Sequence, residues 1–116
     1  MKKRVYFKDT QVSAAIENHA NEQLAKVERF LENEPTPVFI DLTIAPSKLR
    51  EHSKVELRVK SPDYDLVTHY EHEGVDVYDC INRVIDTMYD NLHEAKRKRI
   101  DELKTSSRRD KLDFEK

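Results

Sequence analysis

A chain of 116 residues fits one domain with one core, and 37% hydrophobic against 38% charged residues leaves little apolar material to spare. The formal net charge of -2 weighs weakly against a nucleic-acid binder, although such binding follows where the basic residues sit rather than from their sum. No stretch approaches the ~20 apolar residues of a membrane span, and Val5-Tyr6-Phe7 is too short for the apolar part of a signal peptide. The single cysteine, Cys80, excludes an internal disulfide and suits a reducing cytosol. Gly74 is the single glycine, which excludes a Gly-rich phosphate loop.

Lys3 to Lys8 reads as a first strand, with Val5 and Phe7 to one side and Arg4, Tyr6 and Lys8 to the other. Asp9 or Thr10 is placed to cap the helix that follows. That helix is predicted from about Gln11 to Glu32, with Val12, Ile16, Ala20, Leu24, Val27 and Leu31 on one face. Lys26 and Arg29 lie off this stripe, three apart, and share a surface. Pro35 and Pro37 end the helical pattern.

Val38 to Ile44 alternates as a second strand, and Ser53 to Lys60 as a third. In the third, Val55, Leu57 and Val59 face inward while Lys54, Glu56, Arg58 and Lys60 face water, the pattern of a sheet buried on one side. A polar turn from Pro46 to His52 joins them. Ser61-Pro62-Asp63 marks the next turn. Asp65 to His72 is the fourth strand, with Leu66, Thr68 and Tyr70 on one face, closed by Glu73-Gly74.

The longest helical pattern runs from Asp76 to about Lys104. Val77, Cys80, Ile81, Val84, Ile85, Met88, Leu92 and Ala95 recur at steps of three and four. Asp76 stands at its start, where a carboxylate suits the positive end of the dipole. From Ala95 the stripe gives way to Lys96, Arg97, Lys98 and Arg99. The predicted fold is therefore α+β: a two-layer sandwich in the order β-α-β-β-β-α, with two helices on one face of a four-stranded sheet. The first strand should pair in parallel with the second, and the last three should form a meander. Residues 1–104 form the expected domain. Thr105 to Lys116, polar and charged, is expected to be a mobile tail.

Chemistry-bearing constellations are few. His69 and His72 are three apart on a strand and point to opposite faces, so no metal site is expected. Cys80 lies on the apolar stripe and reads as a small core residue. No pair of carboxylates is fixed in one cleft, so no catalytic role is assigned and an enzyme is the least favoured class. Basic residues come from three places: Lys2, Lys3 and Arg4; Lys26 and Arg29; and Lys96 to Arg99, with Arg83 on the polar side of the long helix. Helices lying side by side would join them into a track for a phosphate backbone. Tyr78 and Tyr89 either stack on bases or flank the core, and the core margin is the favoured reading.

Two segments carry a resemblance. His19-Ala20-Asn21-Glu22-Gln23-Leu24-Ala25-Lys26-Val27-Glu28-Arg29-Phe30 resembles the first helix of the ribosome hibernation-promoting factors, a family that includes protein Y and was once labelled sigma factor modulation protein. Glu73-Gly74-Val75-Asp76-Val77-Tyr78-Asp79-Cys80-Ile81-Asn82 resembles its strand-to-helix signature. The similarity spans about Arg4 to Arg99.

The resemblance implies a non-enzymatic stress factor of the short form. Such a factor binds the small ribosomal subunit in the channel for messenger and transfer RNA and blocks translation by occlusion. It implies ribosomal RNA as partner, a cytoplasmic location and a monomer off the ribosome, with no cofactor, membrane or small-molecule substrate. Lys26 and Arg29 match basic family positions on the first helix. On the second, Thr87, Asp90 and Glu94 stand where relatives are often basic, leaving Arg83 and Lys96 to Arg99 as candidates to compensate. Carboxylates facing phosphate would repel it, so a protein-interaction module of the same fold is the second expectation, and a binder of double-stranded RNA the third.

Overall fold

A computed structural model describes residues 1–46, 53–72 and 75–114, with the side chains of 46 and 105–114 outside the description. The elements are β1 (Lys2–Phe7), α1 (Ala14–Leu31), β2 (Phe39–Pro46), β3 (Ser53–Lys60), β4 (Asp65–Tyr70) and α2 (Val77–Phe114). The sheet runs β1-β2-β3-β4. β1 pairs in parallel with β2, and the other two pairings are antiparallel. This is the predicted α+β order, with both helices covering one face.

Period-two alternation sets which residues meet the helices. Val5, Leu42, Leu57 and Thr68 lie side by side across the four strands, and Phe7, Ile44, Val55 and Tyr70 form the next inward row. Leu42, Leu57, Val55 and Val59 are fully buried against Leu24, Val27 and Leu31 of α1 and Ile81, Ile85, Met88 and Leu92 of α2. Thr68 is the polar member of the inward rows. Its hydroxyl donates to the Val84 carbonyl at 3.0 Å, which offsets its burial by fixing β4 to α2.

Helix α1 starts later than the pattern predicts. Asp9 takes a left-handed φ of 54° at the end of β1, and Ser13 is the cap, its hydroxyl accepting from the Ile16 amide at 3.4 Å. Val12 consequently lies before the helix and is 71% exposed, against the expectation that it joins the core. Asp76 does cap α2: its Oδ1 accepts from the Asp79 amide at 2.9 Å. The expected turn residues 47–52 and Glu73-Gly74 lie outside the described residues.

Helix α2 continues past the expected end near Lys104 to Phe114, 38 residues in all. The apolar stripe fades there, but no proline or glycine follows Gly74 to stop the helix. At 1.5 Å per residue it is about 57 Å long, and it accounts for the 65 Å long axis of a body otherwise 26 × 19 Å.

Leu57 lies at the centre of the sheet with no exposure. Leu57→Ala is expected to lower the unfolding free energy by about 2–5 kcal/mol, read as a lower urea midpoint at unchanged m-value.

Candidate nucleic-acid interface

The two helices run parallel. His19 Nε2 meets Asn82 Oδ1 at 2.8 Å near their starts, Lys26 meets Asp86 one to two turns on, and Phe30 reaches His93 beyond. Packing both on one apolar sheet face leaves a seam between them, open to solvent on the side away from the sheet. Near the end of α1 the seam widens into a groove of about 420 Å³ lined by Lys26, Arg29, Phe30, Tyr89 and His93.

Helical spacing explains this set. Lys26 and Phe30 are i,i+4 on α1, and Tyr89 and His93 are i,i+4 on α2, so each pair shares the edge facing the other helix. The three rings pack edge to face: Phe30 to His93 at 4.7 Å, Tyr89 to His93 at 4.5 Å and Phe30 to Tyr89 at 6.4 Å. Ammonium groups lie over two of them, Lys26 over Tyr89 at 5.1 Å and Lys96 over Phe30 at 5.4 Å. Arg29 lines the same groove, with Nε toward the Ala25 carbonyl at 3.4 Å. Lys26 and Arg29 thus line the groove with its aromatic rings, and Lys96 stands over the Phe30 ring beside it.

The other predicted basic residues go elsewhere. Consecutive helical residues turn by ~100°, so Lys96 to Arg99 fan around α2. Arg97 faces outward beside Asp90, His93 and Glu94. Lys98 pairs with Glu94 at 3.7 Å. Arg99 reaches Asp63 in the β3–β4 turn at 3.0 Å, where Tyr64 is buried and its phenol pushed up, chiefly by that burial. Arg83 lies over the Tyr70 ring at 5.1 Å, on the β4 side. On β1, alternation separates the three cations. Lys3 turns toward α1 and meets Glu28 at 2.6 Å, while Lys2 and Arg4 face away from the helices with Phe39 and Asp41.

Carboxylates enter the picture. Asp86 sits directly on Lys26, and Asp79, Asp86, Asp90 and Glu94 follow one another along the outer side of α2, all exposed. Sequence reading placed Asp90 and Glu94 there but not Asp86. It also missed His93 and Phe30, although their four-residue spacing from Tyr89 and Lys26 was legible. Tyr78 and Tyr89 both line the seam, Tyr78 with its ring 5.1 Å from His19. Cys80 is buried with Sγ 4.0 Å from the Val75 carbonyl. Burial, aided by Asp76 and Asp79, pushes its thiol up, which keeps it protonated and inert. Among the described residues, no three His, Cys, Asp or Glu side chains gather closely enough to hold a metal ion. No described helix is long and apolar enough to cross a membrane.

The sequence profile described as "Sigma 54 modulation protein / S30EA ribosomal protein" matches residues 4–100. The chain belongs to that family. Solved structures agree on the fold. The N-terminal domain of Thermus thermophilus Protein Y superposes with a TM-score of 0.61 at 18% identity, covering 79% of this chain and 96% of that one. A ribosomal subunit interface protein from Coxiella burnetii gives 0.67 at 17% identity, covering 83% and 98%. No curated protein matches the sequence.

The burial of Cys80 has a direct readout. The native protein near neutral pH should leave this thiol unmodified by a small disulfide reagent for minutes, while the urea-unfolded chain reacts at once. Fast reaction of the native protein would show that the start of α2 opens readily.

Proposed function

We propose that this family member binds the small ribosomal subunit, lies in the channel that messenger and transfer RNA use, and inhibits translation by filling it during stress or stationary phase. The observation that carries this reading is the groove in which Lys26 and Arg29 stand with the Phe30, Tyr89 and His93 rings, with Lys96 over the Phe30 ring beside them. Two cations in the groove and a third beside it suit adjacent phosphates of an RNA backbone. The rings beneath them offer faces and edges to an unstacked base. Family membership makes ribosomal RNA the fitting partner. Occlusion needs no catalytic group and no cofactor, only a stable body held in place. The body would be residues 1–104, acting as a monomer in the cytosol, with 105–116 a charged extension.

Arg97 faces outward beyond His93, between Asp90 and Glu94, and would add a contact next to the groove and not in it. Arg83, Lys98, Arg99, Lys2, Lys3 and Arg4 point to other sides, so in this reading they contribute long-range attraction more than contacts in the groove.

The reading predicts that Lys26→Glu combined with Arg29→Glu abolishes co-sedimentation with ribosomes at low salt while circular dichroism stays native. Unchanged association would remove α1 from the interface. Asp86 supplies a second test, since it holds Lys26 as a phosphate would. Asp86→Asn should tighten ribosome association several-fold and steepen its dependence on log salt by roughly 0.7–0.9, the contribution of one further phosphate contact. Its stability cost should stay within about 1 kcal/mol, because the pair is at the surface.

The carboxylates Asp79, Asp86, Asp90 and Glu94 favour a second reading, a protein-interaction module of the same fold. A tagged chain that retrieves proteins but no ribosomal RNA would establish it in place of the first.

A further inference from the structure

The face of the sheet turned away from the helices carries its own arrangement of cations and rings. Lys2, Phe39 and Lys60 lie in one row across β1, β2 and β3, and Arg4, Asp41 and Arg58 in the next. Tyr6 follows on β1 and is 45% exposed. Lys2 Nζ stands 5.9 Å from the Phe39 ring centre, and the Arg4 guanidinium 5.1 Å from that of Tyr6. Asp41 and Asp65 pair with Arg4 and Arg58 at 3.3 and 3.2 Å, yet these arginine side chains remain 64% and 49% exposed. The Arg4 pair, so exposed, is readily exchanged for another, while Arg58 is held by both oxygens of Asp65 and keeps an exposed flank.

Among the described residues, no element covers this face, since α1 and α2 both pack on the other side. A tyrosine and a phenylalanine left on a solvated sheet, each with a cation over or beside its ring, form a stacking platform with charge to hold a backbone. We propose that this outer face binds single-stranded RNA, with bases on Tyr6 and Phe39 and phosphates on Lys2, Lys60 and the two arginines. Double-stranded RNA does not fit, because its bases are not available to stack. An acidic peptide without aromatic residues would satisfy the cations but leave the rings unstacked. The site is distinct from the helix groove and stands whether or not that groove binds the ribosome.

The test is fluorescence anisotropy of the full chain with a labelled oligo-uridylate at low salt. The wild type should bind, with affinity falling as salt rises. Tyr6→Ala with Lys60→Glu should weaken binding roughly 10-fold or more, with unfolding midpoint little changed because both side chains are exposed. Lys26→Glu with Arg29→Glu should alter it less than about 3-fold, being on the other side of the domain. Absence of binding, a greater loss in the groove variant than in the sheet variant, or displacement of the oligonucleotide by an equal charge of poly-glutamate would each overturn the proposal. An RNA duplex binding more tightly than the single strand would overturn it too.

Discussion

One constraint governs the molecule: a four-stranded sheet with an apolar face must cover that face, and two helices side by side are what this chain has to cover it with. The inward rows fix where each helix lies. Once Leu24, Val27 and Leu31 of α1 and Ile81, Ile85, Met88 and Leu92 of α2 share the same floor, the helices must touch along their inner edges. The groove of Lys26, Arg29, Phe30, Tyr89 and His93 is the solvent-side product of that contact. Its geometry is therefore set by burial in the core, not by the polar residues that line it.

This explains what sequence made visible and what it concealed. Alternation in β3 and the stripe of α2 are local periodicities, and they gave element order, sheet direction and core. The start of α1 misled because Asp9, Thr10 and Ser13 are all capable caps, and only the left-handed turn at Asp9 decides for Ser13. Lys26 and Arg29 were legible as a shared surface because they lie on one helix. The run Lys96 to Arg99 looked like one patch along the chain and is dispersed around the helix axis. The contacts Lys26–Asp86 and Lys3–Glu28 join residues far apart in sequence, so no local pattern reports them. Reading net charge alone would have missed both the concentrated groove and the counter-charges beside it.

Electrostatically the protein is not uniformly basic. Its cations are in several places held by neighbouring carboxylates: Lys26 by Asp86, Lys98 by Glu94, Arg58 by Asp65, Arg99 by Asp63. Exposed pairs of this kind contribute little to stability. Their effect is to make an anion compete for each cation, so that a loose single contact gains less than a partner engaging several at once. That favours an extended polyanion over scattered small anions, and it ties affinity to shape.

The dispersal of Lys96, Arg97, Lys98 and Arg99 has a consequence of its own. Four positive charges spaced around a cylinder make a collar, whose attraction varies little with the azimuth of approach. Such a collar hastens encounter with a polyanion from any direction but cannot choose an orientation. Under the proposed function, capture and alignment would be separated: the collar on the far part of α2 would recruit, and the cleft between the helices, with Lys96 shared by both, would set the pose.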